Sequence, residues 1–212
     1  MLIVDGYGSV RTCGESLARL LGRDADELAG MPVWALLPAW SPFETAARME
    51  CTLRPPVLRT SLPVSVSCEA VHVLNDTLFL LDVCPLPGAA QALPAEAIMV
   101  TDRSGEFLHV NPAFETMTGY ARAELAGRTP AILNSGLHPE RAYRDLWDTI
   151  LDGRVYRGAL VNRRKNGELY HESKVIRPVL DGDDRPVLFL CSGRELAVPA
   201  FWKDAQRPWM VL

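Results

Sequence analysis

Apolar residues recur every three or four positions in one stretch of the C-terminal half: Tyr143, Leu146, Trp147, Ile150 and Leu151. This spacing predicts an amphipathic helix that carries all five side chains on one face. A glycine follows at position 153. Glycine suits the end of a helix because it adopts the left-handed conformation at no steric cost.

After this glycine the pattern changes to that of a β-hairpin. Residues 155–164 read as a strand, Asn166 and Gly167 as a tight turn, and residues 169–179 as the returning strand. A helix lying over an antiparallel hairpin predicts a concave pocket, with Trp147 as its aromatic wall and Asn162 as a polar amide on its floor. A planar heteroaromatic ligand would suit such a pocket.

The N-terminal half repeats part of the C-terminal half. A shift of 97 positions (102 − 5) aligns Asp5 with Asp102, Gly8 with Gly105, Gly22 with Gly119, and residues 27–30 with 124–127, without a gap. Such self-similarity predicts two copies of one domain. Each copy reads as α+β, an antiparallel sheet with helices on one face. We place the copies at residues 1–87 and 95–195, with a linker at 88–94 and a tail at 196–212.

The first copy diverges from the second after its opening residues. We predict one helical turn at residues 44–49, then strands at 62–74 and 77–84 that turn at Asn75 and Asp76. The long amphipathic helix of the second copy has no counterpart here, and Gly14 stands where the second copy has Asn111. We therefore expect this copy to bind no cofactor and to serve dimerisation or structure.

Composition narrows the function classes. The 212 residues carry a net charge of −4 and a pI near 5.6, which gives no electrostatic reason to expect nucleic acid as a partner. The five cysteines are scattered without a CxxC pair, so we expect no metal site and a cytoplasmic location. We also expect no membrane span and no catalytic activity, because neither a long apolar run nor a catalytic motif is present.

Several motifs of the second copy resemble those of PAS domains, a sensory fold with a five-stranded antiparallel sheet and a helical cover over a ligand pocket. Residues 111–120 (NPAFETMTGY) resemble the PAS segment NxxFxxxTGY. Residues 132–136 (ILNSG), Leu146-Trp147 and residues 160–165 (LVNRRK) are similar to the flavin-binding redox PAS domains of nitrogen-fixation, methane-oxidation and aerotaxis sensors. The first copy resembles PAS only over its opening forty residues.

This resemblance implies that the second domain binds FAD non-covalently and senses redox state or oxygen. In those relatives the tryptophan lies beside the flavin and the asparagine binds the isoalloxazine edge. The implied cofactor-binding residues are therefore Trp147, Asn162, Asn111, His138, Tyr156 and Arg163. Pro130 stands where a nitrogen-fixation relative has a buried glutamate and where light-sensing relatives have a reactive cysteine, so we expect no photoadduct at that position.

Five of these six residues also have a structural interpretation. Trp147 could be plain core, Asn162 a strand amide, Asn111 a helix cap, and Arg163 part of a solvated face. His138 could be an exposed cap, a contact of the FAD phosphate or ribose, or a haem ligand. The alternatives to a flavin sensor are thus a cofactor-free interaction module and, less favoured, a haem-based gas sensor. We expect a homodimer whose output domain or partner protein lies outside this chain.

Overall fold

The computed structural model describes residues 1–40, 48–55, 61–73, 76–86 and 96–197. The chain divides into two compact units, Met1–Pro94 and Ala95–Leu212. Each unit contains one five-stranded antiparallel sheet, and the helices of the unit pack on one face of it. The prediction of two α+β copies is therefore confirmed. None of the helices in these ranges is long and apolar enough to cross a membrane.

The first unit begins with two short strands and ends with two long ones. Its elements are β1 (Leu2–Asp5), β2 (Val10–Cys13), α1 (Glu15–Leu21), α2 (Ala25–Leu28), α3 (Val33–Leu36), β3 (Met49–Leu53), β4 (Leu62–Val73) and β5 (Asp76–Pro85). The strands lie in the order β2-β1-β5-β4-β3. The first strand of the unit, β1, and its last strand, β5, are therefore neighbours in the sheet.

The second unit has the same plan with one additional long helix. Its elements are β6 (Ala97–Asp102), β7 (Phe107–Val110), α4 (Pro112–Thr118), 3₁₀ turns at Arg122–Glu124 and Pro130–Leu133, α5 (Glu140–Leu151), β8 (Tyr156–Arg163), β9 (Leu169–Leu180) and β10 (Pro186–Glu195). The order β7-β6-β10-β9-β8 matches that of the first unit strand for strand. The repeat seen in the sequence is therefore a repeat of topology.

The aligned aspartates and glycines form the same turn in both units. Gly8 and Gly105 both have positive φ angles, +81° and +90°, which explains why glycine recurs at this position. Asp5 accepts hydrogen bonds from two backbone N–H groups of its own turn, and Asp102 accepts one from the backbone of Glu106. A side-chain carboxylate that binds nearby backbone amides is typical of such turns.

The structure corrects the middle of the first unit. Residues Met49–Leu53 form β3, which pairs with β4, whereas we predicted that a helical turn ends at Met49. Residues 44–47 of that predicted turn lie outside the described residues. The same holds for Asn75, for the linker at 88–94, and for most of the tail, from residue 198 onward.

The core of the second unit lies between its helices and the inner face of its sheet. Phe114 of α4 meets Phe107 of β7 edge to face at a centroid distance of 5.8 Å, and α4 also packs against β6. Helix α5 packs against β8, β9 and β10. It ends before Gly153, which has the left-handed φ of +74° that we predicted for a helix stop.

Candidate functional site

A cavity of about 350 Å³ lies between α5 and the inner face of the second sheet. Its lining is mainly apolar and includes Met99, Leu146, Ile150, Leu160, Ile176 and Phe189. This volume lies within the range of about 300–1,000 Å³ that is usual for ligand pockets. The α5 helix and the β8–β9 hairpin therefore enclose a pocket where the sequence pattern predicted one.

Trp147 forms one wall of the cavity. Its indole meets the ring of Phe189 edge to face, with centroids 6.0 Å apart and planes at 80°. On another side it lies against Gly105, where a β-carbon would come within 3.1 Å of the indole. The glycine in the repeated turn therefore gives the tryptophan its room, and the half-buried ring borders the open space of the cavity.

Asn162 lies at a polar end of the cavity. Its Nδ2 donates to Oε2 of Glu172 at 2.7 Å, and Nζ of Lys174 donates to the other carboxylate oxygen of Glu172 at 2.6 Å. Lys174 lines the cavity together with Asn162. The sequence analysis did not identify this charged pair. The alternation of side chains along β9 places Glu172 and Lys174 on the same face as Tyr170 and Ile176, and this alternation is the signal that could have revealed it.

Cys191 is the one cysteine among the residues that line this cavity. Burial raises the pKa of its thiol to about 12, so the thiol stays protonated near neutral pH. Pro130 lines the cavity as well. Neither residue offers a thiolate to a bound ligand at neutral pH.

The other four predicted site residues are not among those that line the cavity. Asn111 caps α4: its Oδ1 accepts from the N–H of Phe114 and of Ile98, both at 2.9 Å. Its Nδ2 donates to the carbonyl of Glu96 at 2.9 Å. The amide is therefore occupied by backbone groups, as in the helix-cap interpretation.

His138 lies just before α5 and binds strand β8. The N–H of Val161 donates to its Nε2 at 2.7 Å, and its ring meets that of Tyr143 edge to face at 5.7 Å. Burial lowers the pKa of His138, which favours the neutral ring that can accept this bond. Because Nε2 is engaged with the backbone, the geometry does not favour His138 as a haem ligand.

Arg163 and Tyr156 lie at opposite ends of β8. The guanidinium of Arg163 donates to the carbonyls of Ser135 and Gly167, each at 3.0 Å, so it ties the hairpin to the loop before α5. The hydroxyl end of Tyr156 lies over Gly158, where a β-carbon would overlap it. Arg163 therefore holds the hairpin against the loop before α5, and Tyr156 packs along its own strand.

No group of three His, Cys, Asp or Glu side chains that could hold a metal ion occurs within the described ranges. The site is an apolar slot with an indole on one wall and, at one end, an amide and an ammonium that both bind a carboxylate behind them. Such a site can bind a flat apolar ring and form directional hydrogen bonds along one ring edge.

A family model described as the PAS fold matches residues 90–196, which is half of the chain. The chain belongs to the PAS family. The matched residues span the second sheet, α5 and the cavity, so the pocket described above is the pocket of a PAS domain.

Two curated relatives and one solved structure illustrate the similarity. The nitrogen fixation regulatory protein of Klebsiella oxytoca is 34% identical over 116 residues, which is 55% of this chain and 23% of that protein. The aerotaxis receptor of Escherichia coli is 34% identical over 70 residues, 33% of this chain and 14% of that protein. The solved structure of the Rhodobacter sphaeroides LOV protein is 31% identical, with a TM-score of 0.45. The alignment covers 49% of this chain and 61% of the LOV chain.

This chain therefore spans less than a quarter of the length of the curated relatives it matches. What it shares with them is a PAS sensor module.

Proposed function

We propose that this chain is a sensor module whose second PAS domain binds FAD non-covalently and responds to redox state or oxygen. The cavity beneath α5, with Trp147 on its wall and Asn162 at its polar end, carries the proposal. The resemblance of the surrounding motifs to flavin-binding redox PAS domains supports FAD. The match to a nitrogen fixation regulatory protein and an aerotaxis receptor supports a sensory role.

The residues present fit an isoalloxazine ring. Trp147, Ile150 and Phe189 offer apolar contact to its faces, while Asn162 and Lys174 offer hydrogen bonds to its polar edge. When bound, a flavin supplies the capacity to accept and return electrons. The protein's part is to exclude water with its apolar lining, to hold the ring, and to place an amide and an ammonium beside it.

A path from the site to the surface runs through the sheet. Asn162 lies on the edge strand β8, which pairs with β9, and β9 pairs with β10. A ligand whose hydrogen bonds to Asn162 change between its two redox states would shift the balance between two arrangements of these strands. We propose that the change reaches a homodimer interface or the sheet face, and then an output domain or partner protein outside this chain.

Titration with FAD tests the proposal directly. The protein is purified without added cofactor, stripped of any bound cofactor and titrated with FAD. Bound FAD should quench the fluorescence of Trp147 saturably, and a Trp147→Phe variant should lose that component of the signal. FMN in parallel distinguishes the two flavins, because only FAD carries the adenosine half. Absence of saturable binding by both would refute a flavin site, and light scattering with and without FAD tests the dimer.

The competing function is a cofactor-free interaction module. One observation favours it: the amide of Asn162 already has a partner within the protein, Glu172, so the site does not need a ligand to satisfy this Nδ2. In that case the protein would be colourless and would bind neither flavin. Its Trp147→Ala variant would be less stable, and it would show no change in visible absorption because no chromophore is bound.

A further inference from the structure

A fully buried ion pair forms the polar end of the cavity. The side chains of Glu172 and Lys174 are 0% and 5% exposed, and Nζ of Lys174 lies 2.6 Å from Oε1 of Glu172. Both project from the inner face of β9, which otherwise carries apolar or aromatic side chains. Taking two charges out of water is costly even when they are paired. A pair at this position therefore calls for a reason beyond stability.

The fold makes room for this carboxylate. Gly193 on β10 lies opposite Lys174 in the sheet register, and a β-carbon at Gly193 would overlap the carboxylate of Glu172. Glu172 uses one oxygen for Lys174 and the other for Nδ2 of Asn162. One buried carboxylate thus fixes the positions of the amide and the ammonium at this end of the cavity.

The two groups present complementary hydrogen-bonding atoms to the cavity. An ammonium has three N–H donors, and among the described residues Lys174 has one acceptor, Glu172. Asn162 gives an N–H of its Nδ2 to Glu172, and its Oδ1 is the side-chain atom that can accept from a ligand. Lys174 lines the cavity whereas Glu172 does not, so the positive end of the pair is the end nearer a ligand.

We propose that Lys174 and Asn162 together bind the –CO–NH– edge of a cyclic amide or imide ring, and that Glu172 is the positioning residue for both. The ammonium donates to the ring carbonyl and the amide oxygen accepts from the ring N–H. Because the cation faces the ring, the site binds a ring that carries negative charge more tightly than the neutral ring.

The identity of the ring as a flavin rests on the function proposed above. Two-electron reduction by an external donor such as dithionite, with uptake of one proton from water, leaves one negative charge on the isoalloxazine. Lys174 therefore favours reduced over oxidised FAD. A tenfold difference in affinity between the two forms corresponds to a shift of about 30 mV in a two-electron midpoint potential.

The test compares wild-type protein with the double variant Glu172→Gln, Lys174→Met. Removing both charges avoids leaving one buried charge unpaired, and the replacements keep the length of the glutamate and all but the last atom of the lysine. The matched control is Lys165→Met, which removes a surface lysine paired with Glu124 outside the cavity. The readouts are the midpoint potential of bound FAD in a dithionite titration and the dissociation constant of oxidised FAD.

The expected result is a midpoint potential lower by about 30 mV or more in the double variant, with weaker FAD binding, and no change in Lys165→Met. A double variant that binds FAD at the wild-type potential would overturn the role of Lys174 while leaving the flavin site in place. A wild-type protein that binds no flavin would overturn the proposed function and the role of Lys174 with it.

Discussion

The Trp147→Ala variant distinguishes a tryptophan that lines a ligand site from one that only packs in the hydrophobic core. The indole packs on Phe189 and Gly105 and borders the cavity elsewhere. Trp→Ala in a sealed core costs about 3–5 kcal/mol. Because part of the ring has no protein neighbour to lose, we expect the free energy of unfolding to fall by about half of that, ~2 kcal/mol.

The loss of ligand affinity should be of similar size, because the ligand covers the part of the indole that the protein leaves open. Covering a large apolar side chain is worth about 1.5–3 kcal/mol, which is roughly a 10- to 100-fold increase in the dissociation constant of FAD when the contact is removed. Urea denaturation of the ligand-free protein measures the first quantity, and fluorescence of free FAD in a titration measures the second.

Phe114→Leu is the matched control for this experiment. Phe114 is 1% exposed in the same core and is not among the residues that line the cavity. We expect this variant to lose about 1 kcal/mol of stability with unchanged FAD affinity. If Trp147→Ala instead costs the full value of a sealed core position and leaves FAD binding unchanged, the tryptophan is core and not a ligand wall.

Three further variants test individual parts of the site. Gly193→Ala should cost about 1–3 kcal/mol of stability and weaken FAD binding, because its β-carbon displaces the carboxylate of Glu172; denaturation and FAD titration report both. His138 has a pKa below its usual value near 6.5 through burial, so stability present above that pH should decline as the pH falls through and below it, and His138→Gln should flatten this dependence in urea titrations at several pH values. Asn111→Ala should lower stability by about 0.5–2 kcal/mol without changing FAD affinity, whereas a lowered affinity would restore Asn111 as a ligand contact.

The elements around the cavity were predictable because their signals are local. The helical spacing of residues 143–151 indicates α5, which begins at Glu140, and the Asn166-Gly167 turn specifies the β8–β9 hairpin within one residue at each strand end. The repeated glycine also has a local cause, since the turn at Gly105 requires a positive φ. Such features depend on a few neighbouring residues and survive in any fold that contains them.

The features that sequence reasoning missed depend on distant partners. Strand β3 (Met49–Leu53) has a half-buried, short pattern, and it forms because β4 pairs with it. Glu172 and Lys174 look like the exposed positions of a strand, since isolated charges favour water. They are buried because Gly193 and Asn162, on two other strands, provide space and a hydrogen bond.

The absorption spectrum of protein purified gently and in the dark tests the flavin site most directly. Bound flavin predicts the near-ultraviolet and visible bands of an oxidised isoalloxazine, both bleached by dithionite and both weaker in the Trp147→Ala variant. A folded, colourless protein whose spectrum does not change when FAD is added would contradict it and leave a doubled PAS scaffold without a cofactor.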